Sequence, residues 1–350
     1  MGEVFISAGL TAEYGRHFFN LDDTSQYEYV WRLVPELFRT EFSWLSDNWD
    51  LQLGRINYFD ALGFIAGGLF DGARFSLHTR AGTFSAGAWY TGFLYRRRAN
   101  IKMTPDELNA NLVRVDFNDF ANTYFAPSRA LAALDWEHPA LGRFRTRASV
   151  LGQFDLTGAE LHTQYLAVRT SLPAGAFLFD LGACLGFIQN SGDFRMAFAA
   201  DFRTAWTFPA AFLSRVSFLA RYASGENDTF APFLPVTSWD QGYLLRAKMS
   251  GLTKLSLDYT ALFNRFFSMS LTSSYFIRND LTTYTGFPIR NADEGGHFMG
   301  NEFFGRFFWS PVTDLLLSLG AGVFIPALGN TRPEAGNLWR GELNLMLSVR

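Results

Sequence analysis

The sequence predicts an all-β protein: a transmembrane, antiparallel, up-and-down β-barrel of about sixteen strands. The first observation is strict alternation, as in residues 143–154, where Phe144, Ala148 and Val150 alternate with polar residues. A period of two residues gives a strand one apolar and one polar face. The second observation is that the alternation recurs over nearly the whole chain, with Arg and Glu on the polar face. A barrel with lipid outside and a wet lumen inside requires this pattern.

The composition fits a single barrel domain spanning residues 1–350. The chain has 38 Phe residues, and aromatic residues make up 17% of it. A barrel in lipid places such residues on its outer face and at both membrane interfaces. No stretch approaches the roughly 20 apolar residues of a transmembrane helix. The net charge of −3 says little about partners.

Turn residues divide the chain into predicted strands joined by alternately short and long connections. We expect the short connections on the periplasmic side and the long ones outside the cell. A count of about eighteen strands stays open, because 26–45 is long and its phase slips near Pro35. Residues 250–254 resemble a turn, but the odd-numbered apolar face continues through them, which favours one strand over 241–262. The predicted strands cover residues 3–16, 26–45, 49–58, 69–80, 82–95, 129–137, 143–155, 159–171, 176–189, 194–208, 212–223, 241–262, 266–278, 297–309, 314–326 and 337–349.

The longest connection, residues 96–128, contains a helix-start signature. Thr104 is a hydroxyl cap, Pro105 suits the first helical position, and Asp106 and Glu107 place acids in the first turn. We expect a short helix near 105–113. This loop either folds into the lumen as a constriction or covers the mouth as a lid.

The polar faces of the predicted strands carry more bases than acids, although the whole chain is net acidic. A cationic lumen concentrates anions and passes them preferentially. The candidate lumen-lining selectivity residues are Arg74, Arg143, Arg145, Arg147, Arg195, Arg203, Arg215, Arg221, Arg246, Lys248 and Arg306.

Two arginine runs have alternative interpretations. Arg143, Arg145 and Arg147 lie about 7 Å apart along one strand face, so they form either a ladder that passes an anion along or braces that pair with acids on neighbouring strands. Residues 96–98 are all arginine and end a predicted strand at the outer rim. They fit anionic lipid head groups better than a ligand site.

The sequence gives little support for catalysis. The five histidines include no HExxH pair, Ser85 lacks the first glycine of GxSxG, and no nucleotide-binding loop is present. The single cysteine, Cys184, excludes an internal disulfide and a cysteine-based zinc site. We therefore expect no enzyme, no cofactor and no metal.

Three segments resemble the alginate-export family of outer-membrane barrels. They are Gly54-Arg55 followed by residues 70–74, the Gly-acidic loop and aromatic-Pro corner of residues 222–235, and residues 301–303 with 315–326. The resemblance implies an outer-membrane barrel with a basic lumen through which an acidic polysaccharide or another anion moves. The family-like positions it carries over, with structural roles, are Asp71, Gly72, Arg74, Gly225, Phe230 and Pro235. The chain departs from the family in its shorter length and in ending without a terminal Phe.

The sequence thus predicts a passive channel in a Gram-negative outer membrane that favours small anionic solutes or anionic saccharides. Two alternatives are a dedicated exporter of an acidic exopolysaccharide, working with periplasmic partners, and a plugged barrel that acts as an adhesin or structural protein. The expected contacts are membrane lipid, lipopolysaccharide-like head groups and anionic solutes, without nucleic acid.

Overall fold

The structure is a computed structural model that describes residues 2–17, 28–113, 115–139, 143–209, 212–282, 296–328 and 336–347. These residues form one sheet in which sixteen strands follow one another in sequence order. Every neighbouring pair is antiparallel. This is the topology of an up-and-down barrel, as the alternation predicted.

The described residues contain sixteen strands, which is the predicted number, and not eighteen. They are β1 (Gly2–His17), β2 (Glu28–Leu45), β3 (Trp49–Phe59), β4 (Gly67–Thr79), β5 (Gly82–Tyr90), β6 (Arg129–Glu137), β7 (Arg145–Asp155), β8 (Leu161–Ala174), β9 (Phe177–Asn190), β10 (Asp193–Pro209), β11 (Leu213–Ala223), β12 (Leu252–Leu262), β13 (Phe267–Arg278), β14 (Phe298–Val312), β15 (Leu315–Ile325) and β16 (Leu338–Leu347).

The predicted phase slip in the second strand is a β-bulge. The register between β1 and β2 shifts at Ser7 and Ala8, which pair with Arg39 and Leu37. One extra residue on β2 changes which face its side chains occupy and leaves the strand unbroken. The slip therefore marks a bulge and not an additional turn.

Two predicted strands are too long. The strand predicted over 241–262 begins at Leu252, and residues 241–251 belong to a loop. Arg246 and Gly251 have positive φ angles of 51° and 56°, which a strand does not allow. The odd-numbered apolar residues there, such as Leu245 and Met249, are buried inside the barrel and do not face lipid. The strand predicted over 82–95 ends at Tyr90.

The strand faces confirm the alternation. On β7, Val150 and Phe154 are exposed on the outside, whereas Ser149, Leu151 and Gln153 are buried inside. Aromatic pairs lie where strands meet the short turns, with ring centroids 6.0 Å apart for Phe177 and Trp206 and 6.3 Å apart for Phe267 and Trp309. Such a band is typical of a barrel at a membrane interface.

Most connections alternate in length as predicted, but the turn 191–192 between β9 and β10 is as short as the turn 175–176 before it. Short turns include residues 46–48, 80–81 and 313–314, and long loops include 91–128 and 224–251. We call these two sides the short-turn end and the long-loop end.

The long loop between β5 and β6 contains three helices: α1 (Arg96–Ala99), α2 (Pro105–Leu112) and α3 (Phe120–Tyr124). The predicted helix near 105–113 is confirmed as α2. Its Thr104 side chain accepts the Glu107 N–H while the Glu107 carboxylate accepts the Thr104 N–H, which forms a capping box. No helix of the described residues is long and apolar enough to cross a membrane.

Candidate functional site

Three loops from the long-loop end fold inward and meet inside the barrel. They are the β3–β4 loop (residues 60–66), the β5–β6 loop (91–128) and the β11–β12 loop (224–251). We call them the inner loops. Their buried apolar side chains pack in one cluster with inward residues of the wall, and they include Ile65, Ile101, Phe233 and Val236. The inner loops therefore constrict the lumen.

Backbone hydrogen bonds join the three inner loops. Thr237 N donates to Ile65 O at 3.1 Å, and Ser238 N donates to Asn100 O at 3.0 Å. The Thr237 hydroxyl also accepts the N–H of Gly67 at 2.8 Å. The β11–β12 loop thus bridges the other two.

The β3–β4 loop is organised around the buried carboxylate of Asp60. Its Oδ1 accepts the N–H groups of Leu62 and Gly63 at 2.7 and 3.0 Å. Its Oδ2 accepts those of Ile65 and Ala66 at 2.9 and 3.0 Å. Burial raises the pKa of the Asp60 carboxyl, and the four N–H donors act in the opposite direction. One side chain thus satisfies most of the loop's inward backbone donors.

Rows of charged side chains cross the inner wall beneath this loop. Strand pairing aligns one row from β6 to β12 as Glu137, Arg147, Arg169, Gly182, Asp201, Arg221 and Lys254. A second row lies one step nearer the short-turn end and aligns Arg145, Ser171, Asp180 and Arg203. Adjacent strands are about 4.8 Å apart, so the charges lie side by side. The six bases, which we call the inner-wall cations, are Arg145, Arg147, Arg169, Arg203, Arg221 and Lys254.

Carboxylates neutralise these cations only in part. The buried Asp201 is shared, since its Oδ2 lies 3.2 Å from Arg169 Nη2 and 3.6 Å from Arg221 Nη2. Lys254 stands directly opposite Arg221 in the register, and like charges in that position repel. In the described part of the chain, no carboxylate lies within 4.0 Å of Lys254 or Arg203. Asp180 lies opposite Arg203 in the register and partly offsets its charge, so the excess positive charge lies mainly in the first row, at Arg221 and Lys254.

The β3–β4 loop touches the first row directly. Arg169 Nη1 donates to Leu62 O at 2.9 Å. The Arg221 guanidinium lies over the Phe64 ring, 4.7 Å from its centroid. Gly182 permits this approach, because a Cβ at that position would collide with Leu62 and with the Asp201 carboxylate.

A cavity of about 270 Å³ lies at the first row, on the β4–β7 side of the wall. It is lined by both charges, with Arg74 and Arg147 facing Asp135 and Glu137. Arg147 Nη2 lies 2.9 Å from Glu137 Oε1, and both side chains are more than half exposed. Asp60 lines the cavity as well, so carboxylates outnumber bases by three to two, and the predicted basic bias does not hold for this side of the lumen.

The predicted selectivity residues lie in different parts of the structure. Arg145, Arg147, Arg203 and Arg221 belong to the inner-wall cations, and Arg74 lines the cavity. Arg215 lies on the same face of β11 as Arg221, nearer the short-turn end.

Two other predicted residues hold structure in place. Arg195 forms an ion pair with Glu226 and donates to Phe230 O at 3.0 Å, which fixes the start of the β11–β12 loop. Arg306 Nε donates to Glu342 Oε1 at 2.7 Å.

Three predicted positions are corrected. Arg246 and Lys248 do not lie on a strand, because residues 241–251 form a loop. Arg246 Nε lies 4.0 Å from Asp240 Oδ2. Lys248 is buried among the inner loops. Burial lowers the pKa of Lys248 to about 8. Arg143 precedes β7 in a turn, so the predicted ladder along one strand loses its first step.

The arginine run at 96–98 forms α1 and does not end a strand. The Arg96 guanidinium donates to three backbone carbonyls of the same loop: Phe125 O at 3.1 Å, Ala110 O at 3.0 Å and Asn122 O at 2.6 Å. Arg98 Nε lies 3.0 Å from Glu36 Oε2 on β2. These two arginines thus brace the β5–β6 loop, and contact of the run with lipid head groups stays a prediction.

The β5–β6 loop contacts both the interior of the barrel and the wall at strand β2. Its Ile101 and Met103 are buried in the cluster of the inner loops. At the mouth, Tyr124 stacks on Tyr95 at 4.9 Å and donates to Pro35 O at 2.8 Å. Constriction of the lumen and covering of the mouth both stay predictions for this loop.

Sequence reasoning missed Arg169 as a lumen residue. The strand predicted over 159–171 starts too early, because Glu160 has a φ of 52° and lies in the turn before β8. The exposure of Leu166 and Val168 marks the even positions as the outer face. The alternation of Leu166 and Val168 with Arg169 was the signal in the sequence that could have placed Arg169 on the inner face.

The fold is shared with solved outer-membrane porins. OccK11 (OpdR) of Pseudomonas aeruginosa is 11% identical to this chain. The superposition covers 98% of this chain and 85% of OccK11, with a TM-score of 0.52. OccK2 (OpdF) of the same species, solved in complex with glucuronate, is 12% identical with coverages of 99% and 88% and a TM-score of 0.56. OccAB4 of Acinetobacter baumannii is 11% identical with coverages of 98% and 84% and a TM-score of 0.55.

These neighbours are outer-membrane porin channels. At this level of identity the likeness shows the fold, so the chain is a porin-type outer-membrane β-barrel in architecture. No protein-family model and no curated protein matches the chain. The resemblance to alginate-export barrels is thus supported as far as the barrel, and its finer family assignment rests on the short motifs alone.

Proposed function

We propose that the protein is a passive channel in the outer membrane of a Gram-negative bacterium, favouring small solutes that carry a carboxylate or another anionic group. The observation that carries the proposal is the set of inner-wall cations beneath the β3–β4 loop. They lie at the constriction, where a permeating solute passes close to the wall.

The chemistry of this wall suits a carboxylate. Guanidinium groups bind carboxylates in bidentate fashion, and neighbouring guanidinium groups offer successive partners. Lys254 and Arg221 repel each other in the empty channel, and an anion between them relieves that repulsion. An unneutralised cationic lumen also raises the local concentration of anions.

The comparisons support the proposal at a coarser level. The structural neighbours are outer-membrane porin channels and not enzymes. One of them was solved with glucuronate, a sugar carboxylate. The outward apolar face and the aromatic band of this chain suit the same membrane location.

Single-channel recording in a planar bilayer under a KCl gradient tests the proposal. The wild-type channel should show a steady open conductance with an anion-leaning reversal potential. Replacing Arg169, Arg221 and Lys254 by Gln should shift the reversal potential toward cation selectivity, because it removes the row's excess positive charge.

The matched control is Arg265→Gln, since Arg265 is an exposed arginine in the turn between β12 and β13. It should leave the reversal potential unchanged. Replacing Arg143, Arg145 and Arg147 by Ser tests the predicted arginine run separately. We expect a smaller shift of the reversal potential than in the Gln triple variant, because Arg147 already faces Glu137. An unchanged reversal potential in the Gln triple variant would contradict the role of the inner-wall cations.

A plugged barrel is the second candidate, because the inner loops are hydrogen-bonded to one another across the lumen. A protein that inserts into bilayers without conductance, even after deletion of 99–125, would favour this function over any channel.

Export of an acidic polysaccharide is the third candidate, and it rests on the alginate-export-like motifs. The rows of cations suit a polyanionic chain as well as a small carboxylate. Genes for polysaccharide synthesis beside the gene for this protein would favour export, and their absence would favour a general porin.

A further inference from the structure

The β11–β12 loop contains a closed turn that is bonded to the far wall of the barrel. Gln241 N donates to Ala247 O at 2.9 Å, which closes residues 241–247. We call these residues the inner finger. Arg221 Nη1 on β11 donates to Gln241 Oε1 at 3.0 Å, so the finger starts at the first row of charges.

The anchor of the inner finger is Glu302 on β14. The Glu302 side chain is fully buried. Its Oε1 accepts the N–H of Tyr243 at 2.8 Å, and its Oε2 accepts those of Leu244 and Leu245 at 2.8 and 2.9 Å. Hydrogen bonds to an ionised acceptor are about twice as strong as neutral ones.

A guanidinium completes the anchorage. Arg340 Nη1 on β16 donates to Tyr243 O at 2.6 Å, while its Nη2 lies 2.9 Å from Glu342 Oε2. Arg306 lies over the Tyr243 ring, 5.5 Å from its centroid. The polar backbone of the finger thus meets complementary charges from β14 and β16.

The wall beneath the finger is apolar where a wet lumen requires polar residues. Phe276, Phe304 and Phe324 point inward and are buried in one cluster with Leu244 and Leu245 of the finger. The Tyr243 ring stacks on Phe304 at a centroid distance of 4.3 Å. The finger is what removes these rings from water.

We propose that Glu302 is a positioning residue that fixes the inner finger against strands β13–β16 and thereby sets the free cross-section of the lumen. The part that concerns solute passage rests on the proposed channel function. When an amide replaces the carboxylate, as in Glu302→Gln, one of the two oxygens becomes an NH2 donor, so at least one of the three buried N–H groups loses its acceptor. The finger then leaves the wall for part of the time and enters the path of the solute.

Cysteine labelling measures the position of the finger without relying on conductance. A Leu244→Cys reporter is placed in a Cys184→Ala background, which removes the only native thiol. The reporter should be protected from a water-soluble methanethiosulfonate while Glu302 is present. In Glu302→Gln we expect labelling about tenfold faster, the factor that corresponds to about 1.4 kcal/mol of opening free energy.

The matched control is Asp258→Asn, which also removes one negative charge from the inner wall. Asp258 on β12 accepts a hydrogen bond from Thr272 Oγ1 at 2.7 Å, and the structure shows no contact between it and the finger. Labelling should stay at the wild-type rate. In bilayers, Glu302→Gln should add conductance levels or open-channel noise that Asp258→Asn lacks.

A second variant leaves Glu302 in place. A Cβ at Gly242 would lie 2.8 Å from Glu302 Oε2 and 2.9 Å from Phe276 Cζ. Gly242→Ala should therefore push the finger off the wall and accelerate labelling of the Leu244→Cys reporter. Heat-modifiable mobility on a denaturing gel confirms that each variant folds.

The outcomes separate this inference from the proposed function. Wild-type labelling rates in both folded variants, or equal acceleration in Asp258→Asn, would overturn the role of Glu302. Faster labelling in Glu302→Gln and in Gly242→Ala, with the wild-type rate in Asp258→Asn, supports that role. Faster labelling in a barrel that never conducts would support the anchoring of the finger and reject the channel.

Discussion

At the residue scale, Gly182 shows how one missing side chain positions the constriction. It lies in the row of charges between Arg169 and Asp201, directly under Leu62 of the β3–β4 loop. Any Cβ there would displace either the loop or the carboxylate that two arginines share. Its conformation is ordinary, so the requirement for glycine comes from close packing and not from backbone strain.

We expect Gly182→Ala to lower the stability of the barrel by about 1–3 kcal/mol, the usual result of overpacking. Thermal unfolding in detergent measures it. Gly186→Ala on the same strand is the control, because a Cβ there would meet its nearest neighbours at 3.5 Å, an ordinary contact. Equal stability of the two variants would show that the β3–β4 loop does not rest on Gly182.

At the element scale, the β3–β4 loop keeps its shape through Asp60. A seven-residue loop inside a barrel has backbone N–H groups that neither water nor a sheet satisfies, and each unsatisfied group costs about 1–3 kcal/mol. The Asp60 carboxylate accepts four of them. The loop is therefore ordered by one side chain and is sensitive to its loss.

Asp60→Ala should accelerate hydrogen exchange of the amides of residues 62–66, because four donors lose their acceptor at once. Asp60→Asn should have a smaller effect, since the amide oxygen still accepts. Exchange measured by mass spectrometry on peptides covering the loop distinguishes them, with the exposed Asp47→Asn in a short turn as the control. Unchanged protection in Asp60→Ala would mean that packing alone holds the loop.

At the scale of the whole molecule, the charges are segregated around the lumen. Cations dominate the wall from β8 to β12. On the side from β4 to β7, Asp60, Asp135 and Glu137 line one cavity with Arg74 and Arg147. A total charge of −3 gives no indication of this separation. The selectivity of such a lumen is set by the local field, which salt screens.

Anion preference should therefore fall as salt rises. The Debye length shortens from about 10 Å at 0.1 M to about 3 Å at 1 M, which brings it below the spacing of the strands that carry the cations. Reversal potentials at a fixed KCl ratio, recorded at low and high mean concentration, measure the change. A preference that does not depend on salt would point to size exclusion and away from the inner-wall cations.

The sequence by itself determined the number of strands, the faces of most of them, the alternation of short and long connections, and the capping box of α2. These features follow from local rules: a period of two, turn residues and a capping signature.

Tertiary structure decided the rest. Residues 241–251 alternate like a strand, yet they form a loop whose apolar residues face other loops and not lipid. The rows of cations run across strands, and their alignment depends on a register that pairs Arg147 with Arg169 and Arg221 with Lys254. Register and loop docking join residues far apart in the chain, which is why a local pattern placed the arginines on strands but did not bring them together.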